Sequence, residues 1–249
     1  RFRTDPRIFF PMSPVSTVTA VLLAAGSGER VGSGSPKQFL PLAGEPMVIH
    51  SLRTLDACPA VDSIVIALPF DRSGWPREME GFAKVAAYAD GGPTRQNSLA
   101  RALEHLPEDA PVVMVHDASR PLLTGQLLRS LLGALDDSCD GVIPAIPLED
   151  TIKRVSTGMF VTEQLDRNGV WRVQTPQIFR REALVDALTR AIEAGLEATD
   201  CSHMLTLGGY RVKVVPGDPQ NFKVTRPGDL AWAEAVLASR TVPPAGGRL

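Results

Sequence analysis

A glycine-rich stretch between residues 18 and 40 carries the residues best suited to chemistry. An apolar run from Val18 to Leu23 ends in Ala24–Gly28, where almost every side chain is absent or small. Backbone N–H groups in such a segment can surround an anion, and glycine alone readily reaches the positive φ angles that this requires. Arg30 and Lys37 follow directly and add two positive charges. The stretch therefore predicts a binding loop for a triphosphate.

Three glycine-rich templates compete for this stretch. The dinucleotide fingerprint G-x-G-x-x-G fits poorly, because Val31 occupies the position of its third glycine. The P-loop also fails, because Gln38 follows Lys37 where that motif needs a hydroxyl residue for the metal. The remaining pattern, Ala24-Ala-Gly-x-Gly-x-Arg30 followed by Pro36-Lys-Gln38, resembles the signature of the sugar-phosphate nucleotidyltransferases. An ordinary strand-to-helix loop is the alternative, although two cations in a glycine-rich loop are harder to explain that way.

Length and composition limit the classes of protein to which this chain can belong. With 249 residues and 44% hydrophobic content it can bury a large core, so we expect a single main α/β domain. The 28 acidic and 26 basic side chains nearly balance, so no global charge would attract nucleic acid or an anionic membrane. No apolar run is long enough to span a bilayer. Any anion binding must therefore be local.

The cysteines and the two ends of the chain give further expectations. Cys58, Cys139 and Cys201 are widely separated and form no C-x-x-C pair, which favours reduced thiols in the cytoplasm and no structural zinc. Residues 1–17 are expected to be an N-terminal extension, disordered or artificial, with Met12 a plausible natural start. Residues 18–240 are expected to form the domain, followed by a flexible tail at 241–249.

The order of secondary-structure patterns predicts the fold. Strand-like and helix-like patterns alternate from Val18 to Ile146, which predicts a Rossmann-like, doubly wound and mostly parallel sheet. In such a sheet the ligand lies beyond the carboxyl ends of the strands. After Pro147 the pattern changes to short strands without a helix between them, so residues from about 147 to 173 are expected to project as a β-arm. Because an arm with an uncovered edge often pairs with another subunit, it is the candidate for dimerisation.

The individual elements are predicted from the spacing of apolar residues. Main strands are expected at 18–23, 63–68, 85–88, 111–115, 141–146, 210–215 and 221–225, and short arm strands at 150–156, 159–162 and 169–173. Helices are expected around 48–55, 99–106, 127–135, 185–192 and 230–237.

Polar side chains follow several of these strands at the same edge of the sheet. Gly91 and Arg95 lie on a turn and at the start of a helix, and helix N-termini attract phosphate. Asp117 ends another strand, where a carboxylate can help hold a divalent cation, bind a substrate hydroxyl or simply cap a turn. Its neighbour His116 is interpreted as a core histidine without a catalytic role. Arg120 is either a solvated turn residue or a substrate contact.

Several motifs occur in order and together resemble the 2-C-methyl-D-erythritol 4-phosphate cytidylyltransferase family over Val18 to Arg240. They are Ala24-Ala-Gly-Ser-Gly-Glu-Arg30, Pro36-Lys-Gln38, Gly91-Gly-x-x-Arg95-x-x-Ser98, His116-Asp-Ala-Ser-Arg-Pro121, Asp150-Thr-Ile-Lys153, Asp166-Arg-Asn-Gly-x-Trp171, Thr175-Pro-Gln177, Thr199-Asp200 and Asn221-Phe-Lys-Val-Thr225. The first motif is common to many nucleotidyltransferases. The aspartate-arginine-proline element, the arginine before Asn-Gly-x-Trp and the final lysine are much more specific.

The resemblance implies an enzyme that transfers CMP from CTP to 2-C-methyl-D-erythritol 4-phosphate. The products are 4-diphosphocytidyl-2-C-methyl-D-erythritol and pyrophosphate, in the non-mevalonate route to isoprenoid precursors. The resemblance also implies Mg²⁺ as cofactor and a homodimer joined by the arm, in which Thr151 and Arg167 serve the partner's site.

The resemblance also implies roles for individual residues. Arg30 and Lys37 would stabilise the transition state, while Arg167 and Lys223 would position the substrate phosphate. Those implied to bind CTP are Ala24, Ala25, Gly26, Gly28, Gly91 and Ser98. Asp117, Arg120 and Thr151 would face the polyol. The metal ligand stays open, with Asp117 as a candidate from its position at the end of a strand.

Two departures and two alternatives accompany the resemblance. Ser119 replaces an alanine of the family pattern, which is a small change, whereas Cys201 replaces the last carboxylate of a Thr-Asp-[Asp/Glu] element. A related cytidylyltransferase acting on ribitol 5-phosphate is the second enzymatic interpretation. A non-catalytic nucleotide-binding protein is the third, but the presence of all four cations, Arg30, Lys37, Arg167 and Lys223, argues against it.

Overall fold

The computed structural model describes residues 17–26, 36–71 and 74–241. Strands are β1 (Val18–Leu23), β2 (Pro41–Leu42), β3 (Glu45–Pro46), β4 (Val61–Leu68), β5 (Val85–Asp90), β6 (Val112–Asp117), β7 (Gly141–Pro147), β8 (Lys153–Val155), β9 (Val161–Gln164), β10 (Trp171–Val173), β11 (Gln177–Arg180) and β12 (Val212–Pro216). Helices are α1 (Met47–Asp56), α2 (Arg95–Leu103), α3 (Gly125–Ala134), α4 (Arg181–Glu193), α5 (Cys201–Leu207) and α6 (Pro227–Thr241), with 3₁₀ turns at Lys37–Phe39 and Arg77–Gly81.

The central eight-stranded sheet has the order β10-β7-β11-β6-β1-β4-β5, and β12 also pairs with β7. Strand β1 lies in the middle and runs parallel to both β4 and β6. The chain builds outward from β1 through β4 to β5 and then returns to place β6 on the other side of β1. This reversal leaves a crevice at the carboxyl ends of β1 and β6, where Leu23 is level with Asp117.

Helices cover both faces of the sheet, as the doubly wound prediction requires. Every residue of β1 is buried, because the strand is apolar on both faces. Its alternate residues Val18, Ala20 and Leu22 pack in one core with helices α1 and α3. Val21 and Leu23 pack in the opposite core with α2, α4 and α5. The predicted fold class is confirmed, and no described helix is long and apolar enough to cross a membrane.

Some elements differ from the sequence predictions. Strand β11 and helix α5 were not predicted, and β11 runs antiparallel between β6 and β7. The strand predicted at 221–225 is wrong, because this segment is a loop. Its backbone is bound by loop contacts instead of a neighbouring strand: Val224 N–H donates to the Ser119 carbonyl at 2.8 Å, and Asn221 N–H to the Asp218 carbonyl at 2.9 Å.

The chain between β7 and β10 has a different character from the sheet. Strands β8 and β9 form their own antiparallel pair, and β10 then returns to pair with β7. All residues of β8, β9 and β10 are exposed. The turn between β8 and β9 exposes Met159 and Phe160, at 83% and 76% of their surface. This part of the chain therefore adds little to the core of its own subunit.

Candidate active site

The end of β1 and the turn after β5 meet at one edge of the sheet. Ala24 N–H donates to the Ala67 carbonyl at 2.8 Å, and Gly91 N–H donates to the Leu68 carbonyl at 2.7 Å. A Cβ atom at residue 91 would lie only 2.2 Å from the Cβ of Ala25, so this close approach requires glycine. The structure thus brings together the predicted CTP residues Ala24, Ala25 and Gly91 with Gly26 directly after them. Gly28 and Arg30 lie outside the described residues.

The turn from Gly91 to Ser98 is organised by its own side chains. Thr94 caps helix α2, since its side chain accepts a hydrogen bond from Asn97 N–H at 3.1 Å. The Ser98 hydroxyl accepts from Gly92 N–H at 3.0 Å and lies 2.9 Å from the Thr94 carbonyl, to which it donates. Ser98 therefore shapes the turn beside the glycine loop, and its predicted contact with CTP stays a prediction.

Asp117 at the end of β6 is held by two cations, one on each carboxylate oxygen. Arg95 Nε lies 3.0 Å from Oδ1, and Lys223 Nζ lies 2.8 Å from Oδ2. Burial alone would raise the pKa of Asp117, but the charges of Arg95 and Lys223 outweigh it and hold that pKa well below its usual range. Asp117 is therefore ionised at neutral pH.

His116, the residue before Asp117 on β6, is neutral and shares a hydrogen-bond partner with it. Burial lowers the pKa of His116 to about 4, so its imidazole is uncharged at pH 7. Its Nε2 lies 3.2 Å from the Arg120 carbonyl, which can only accept, so Nε2 carries the hydrogen. Nδ1 is then an acceptor for the Thr175 hydroxyl at 3.0 Å, and the same hydroxyl oxygen accepts from Asp117 N–H at 3.1 Å. These contacts agree with the interpretation of His116 as a core histidine.

Arg120 reaches across the crevice to backbone carbonyls. Its Nη1 donates to the Asn221 carbonyl at 2.8 Å and its Nη2 to the Val173 carbonyl at 3.2 Å. The Arg120 side chain therefore ties the segment before Lys223 to the base of the arm. It is not simply a solvated turn residue, and its predicted contact with the polyol stays a prediction.

The loop that carries Lys223 is fastened from several sides. Gln174 Nε2 donates to the Asp218 carbonyl at 2.7 Å, and Asn221 Nδ2 donates to the Thr175 carbonyl at 2.8 Å. Lys37 Nζ donates to the Val224 carbonyl at 3.2 Å, so the two predicted catalytic lysines lie on adjoining segments. The neighbouring Gln38 amide donates to the Ala24 carbonyl and connects this site to the glycine loop.

Thr151 and Arg167 are not brought into this group. Both are exposed on the chain between β7 and β10. In the described part of the chain the Arg167 side chain has no hydrogen bond or ion pair with another residue. Their predicted contribution to a partner's site stays a prediction.

A cavity of about 350 Å³ opens beside the Asp117 carboxylate. Its lining includes Arg95, Asp117, Arg120, Thr175, Gln177, Asp200 and Lys223. The sequence predicted Arg95 at the start of a helix on this edge but gave it no individual role, and Thr175 and Gln177 occur only within a motif. The signal for Arg95 was its place three residues before Ser98 on the first turn of α2, one helical turn away on the same face.

The described residues contain no group of three or more side chains that could enclose a metal ion. Asp117, the candidate ligand, already accepts from a cation on each oxygen. In this arrangement the residues do not form a protein cage for a divalent cation.

A doubly wound sheet with small residues (Ala24, Ala25, Gly26 and Gly91) and basic side chains at its topological switch point is typical of a nucleotide-binding α/β protein. The comparisons with known proteins are more specific. The chain matches the family described as "IspD: 2-C-methyl-D-erythritol 4-phosphate cytidylyltransferase" over residues 18–239. The chain belongs to this family.

Individual relatives and solved structures agree with this assignment. A protein named 2-C-methyl-D-erythritol 4-phosphate cytidylyltransferase from Geobacillus thermodenitrificans is 39% identical over 224 residues, which are 89% of this chain and 97% of the relative. A protein of the same name from Symbiobacterium thermophilum is 41% identical over 220 residues, 88% of this chain and 92% of the relative. The crystal structure of the protein with that name from Thermus thermophilus is similar with a TM-score of 0.74 and 30% identity, covering 88% of this chain and 98% of the other.

Proposed function

We propose that this protein transfers CMP from CTP to 2-C-methyl-D-erythritol 4-phosphate, with release of pyrophosphate. The observation that carries the proposal is the family match across residues 18–239. The site supports it, because the end of β1 and the turn at Gly91 lie at the edge of the sheet where this fold binds nucleotides, and Lys37 donates to the backbone of the loop that carries Lys223. No observation favours ribitol 5-phosphate over the methylerythritol phosphate.

The chemistry requires two anions to approach each other. An oxygen of the phosphate monoester attacks the α-phosphorus of CTP, and the bond to the pyrophosphate leaving group breaks in line. The main demands are neutralisation of charge and alignment of the reactants, so a site rich in lysine and arginine suffices without a covalent nucleophile.

Different residues are assigned to binding CTP, neutralising charge and aligning the acceptor. Ala24, Ala25, Gly26 and Gly91 present backbone to the triphosphate, with Gly28 and Ser98 completing the CTP site. Lys37, together with Arg30, stabilises the charge that develops at the α-phosphorus. Lys223 and Arg167 position the phosphate of the acceptor, and Asp117, Arg120 and Thr151 contact its hydroxyl groups.

We propose Mg²⁺ as the cofactor, held mainly by the phosphates of CTP. Magnesium commonly keeps several waters and binds through one or two carboxylates together with substrate phosphates, so a site without a protein cage is compatible with it. Bound Mg²⁺ would neutralise phosphate charge. Loss of activity with a chelator and its recovery with added Mg²⁺ would support this assignment.

We also propose a cytoplasmic homodimer in which the arm contributes Thr151 and Arg167 to the partner's site. The exposed apolar side chains Met159 and Phe160 support an interface on the arm. The three described cysteines are unpaired, which agrees with a reducing compartment.

Pyrophosphate release tests the proposed function directly. The purified protein is mixed with CTP, Mg²⁺ and either 2-C-methyl-D-erythritol 4-phosphate or ribitol 5-phosphate, and the cytidylylated product is identified by mass. We expect turnover with the methylerythritol phosphate at least about 10²-fold faster, because mispositioned hydroxyl groups misalign the attacking phosphate. Faster turnover of ribitol 5-phosphate would replace the proposed acceptor. Binding of CTP without any pyrophosphate release would leave only the nucleotide-binding function.

A further inference from the structure

The Asp117 carboxylate is shared by two cations that differ in exposure. Arg95 and Lys223 approach different oxygens of Asp117, at 3.0 and 2.8 Å. The two cations therefore do not compete for the same oxygen. The Asp117 side chain is only 11% exposed, so it needs at least one counter-ion at all times.

Arg95 is the anchored partner of the two. Its side chain is 23% exposed, against 37% for Lys223. Its Nη1 also donates to Cys201 Sγ at 3.4 Å, and burial raises the pKa of that thiol, which is therefore neutral. Asp117 is the only carboxylate that Arg95 pairs with among the described residues. The cysteine in place of the carboxylate typical of the family thus directs the whole charge of Arg95 to Asp117.

Lys223 is the partner that can leave. It lies on a loop, lines the cavity and has a single flexible ammonium group. The proposed function gives Lys223 a second anion to bind, the phosphate of the acceptor. In the structure its charge is paired with Asp117, so the acceptor phosphate has to compete with this carboxylate for Lys223.

We propose that Arg95 is a positioning residue that keeps Asp117 compensated while Lys223 transfers from this carboxylate to the acceptor phosphate. The inference rests on the proposed function, because that function supplies the phosphate. Without Arg95, Lys223 would be the sole counter-ion of a buried carboxylate and would be held there. Binding of the acceptor phosphate would then be weakened although every residue that touches it remains.

An alternative is that Arg95 binds the phosphate itself. Its Nη2 is buried and has no hydrogen-bond partner among the described residues, so a donor is available. The two roles differ in their dependence on Asp117. A compensating arginine loses its importance once Asp117 is neutral, whereas a phosphate-binding arginine does not.

The test is a double-mutant cycle of Arg95→Gln and Asp117→Asn, measured by steady-state pyrophosphate release with CTP and 2-C-methyl-D-erythritol 4-phosphate. In the wild-type background we expect Arg95→Gln to raise the KM for the acceptor about 30-fold and the KM for CTP less than about 3-fold, because a buried carboxylate then retains Lys223. Arg95→Lys should recover most of the loss, because it restores the charge. Arg190→Gln, which removes an arginine from an exposed ion pair with Asp186 on α4, is the matched control and should change neither constant.

The decisive comparison is made in the Asp117→Asn background. There Arg95→Gln should change the KM for the acceptor by less than about 3-fold, because no buried charge remains to retain Lys223. A rise as large as in the wild-type background would overturn the proposal and favour direct binding of phosphate by Arg95. If Arg95→Gln alone does not fold, the double variant is compared directly with Asp117→Asn under the same criterion. Wild-type protein that releases no pyrophosphate would refute the proposed function, whereas active wild-type protein without this coupling refutes only the inference.

Discussion

The predicted site residues have different surroundings at the edge of the central sheet, where β1 and β6 end, and on the arm, the chain between β7 and β10. At the edge, Lys37, Asp117 and Lys223 are all engaged with other parts of the same chain. On the arm, Arg167 is exposed and makes no ion pair with another described residue. The edge is built largely from internal contacts, whereas the arm presents its charge and its apolar side chains outward.

This difference indicates that the two regions have separate structural requirements. The edge positions its charges through strand register and buried hydrogen bonds, so one folded subunit specifies them. An exposed hairpin with large apolar side chains gains little from its own core and is stabilised by a partner that covers it. In the proposed dimer, CTP would bind mainly to the edge, and the acceptor phosphate would need the arm.

The largest expected effect comes from removing charge at the edge. Lys37→Ala should lower kcat by about 10²-fold, near 3 kcal/mol, with a smaller change in the KM for CTP, because its charge acts most strongly on the transition state. Arg30→Ala is expected to behave in the same way. Lys213→Ala, which removes an exposed lysine paired with Asp136, is the control in the same kinetic assay. A rise in KM alone would contradict the assigned role.

A smaller and more selective effect is expected from the arm. Arg167→Ala should raise the KM for 2-C-methyl-D-erythritol 4-phosphate by about 30-fold and leave CTP affinity unchanged, because one phosphate contact is lost. Calorimetry with CTP and kinetics with the acceptor separate these effects. Arg154→Ala, on the same arm but paired with Glu163, serves as control. Weaker CTP binding with an unchanged acceptor KM would show that Arg167 on the arm does not serve the acceptor phosphate.

The proposed interface can be weakened without touching the edge. Phe160→Asp should reduce the free energy of dimerisation by about 2 kcal/mol, because a phenyl ring that the partner would bury is replaced by a charge. Light scattering over a dilution series measures the shift towards monomer. His105→Asp, at an exposed position away from the arm, is the control. An unchanged dimer would show that residue 160 does not contribute to the interface.

Acid should also lower the stability of the folded protein through His116, at the edge of the sheet. Its pKa in the folded protein is about 4, below the value near 6.5 of an unfolded chain, so the unfolded state binds the extra proton first. Stability from this group is present above pH 6.5 and is lost as the pH falls towards 4. Between pH 7 and pH 5.5 the loss should be about 1 kcal/mol.

Thermal or denaturant unfolding at a series of pH values measures this loss. The loss of stability between pH 7 and pH 5.5 that is due to His116 should disappear in His116→Gln. It should persist in His105→Gln, whose histidine is exposed. An identical pH dependence in all three proteins would contradict the buried, neutral imidazole.

Much of the fold could be predicted from local patterns. The apolar run of β1 and the repeated helical spacing of leucines specify a doubly wound sheet, since such patterns depend only on neighbouring residues. Strand β11 is four residues long and antiparallel, so it gave no comparable signal. The loop at 221–225 has the composition of a strand but is bound by Ser119 and Thr175, which are distant in sequence.

Candidate site residues could be proposed from the sequence, but their contacts could not. Glycine loops and strand-terminal polar residues are local features, so Lys37, Asp117 and Gly91 could be proposed from motifs. The ion pairs of Asp117 join it to residues 22 and 106 positions away, and only the assembled sheet brings them together. The role of Arg95 could not be predicted for the same reason, because its motif gives its position in the sequence and not its ion-pair partner.

The division between edge and arm is tested most directly by combining two impaired variants in one dimer and measuring activity at an acceptor concentration far below its KM. Lys37→Ala and Arg167→Ala are each made with a different tag and co-expressed, and the hybrid dimers are purified by both tags. If the arm serves the partner's site, one of the two sites in each hybrid has both residues, and the hybrid should recover about half of the wild-type activity. Hybrids no more active than the two parent variants would show that the arm and the edge of one subunit act together, which contradicts the account.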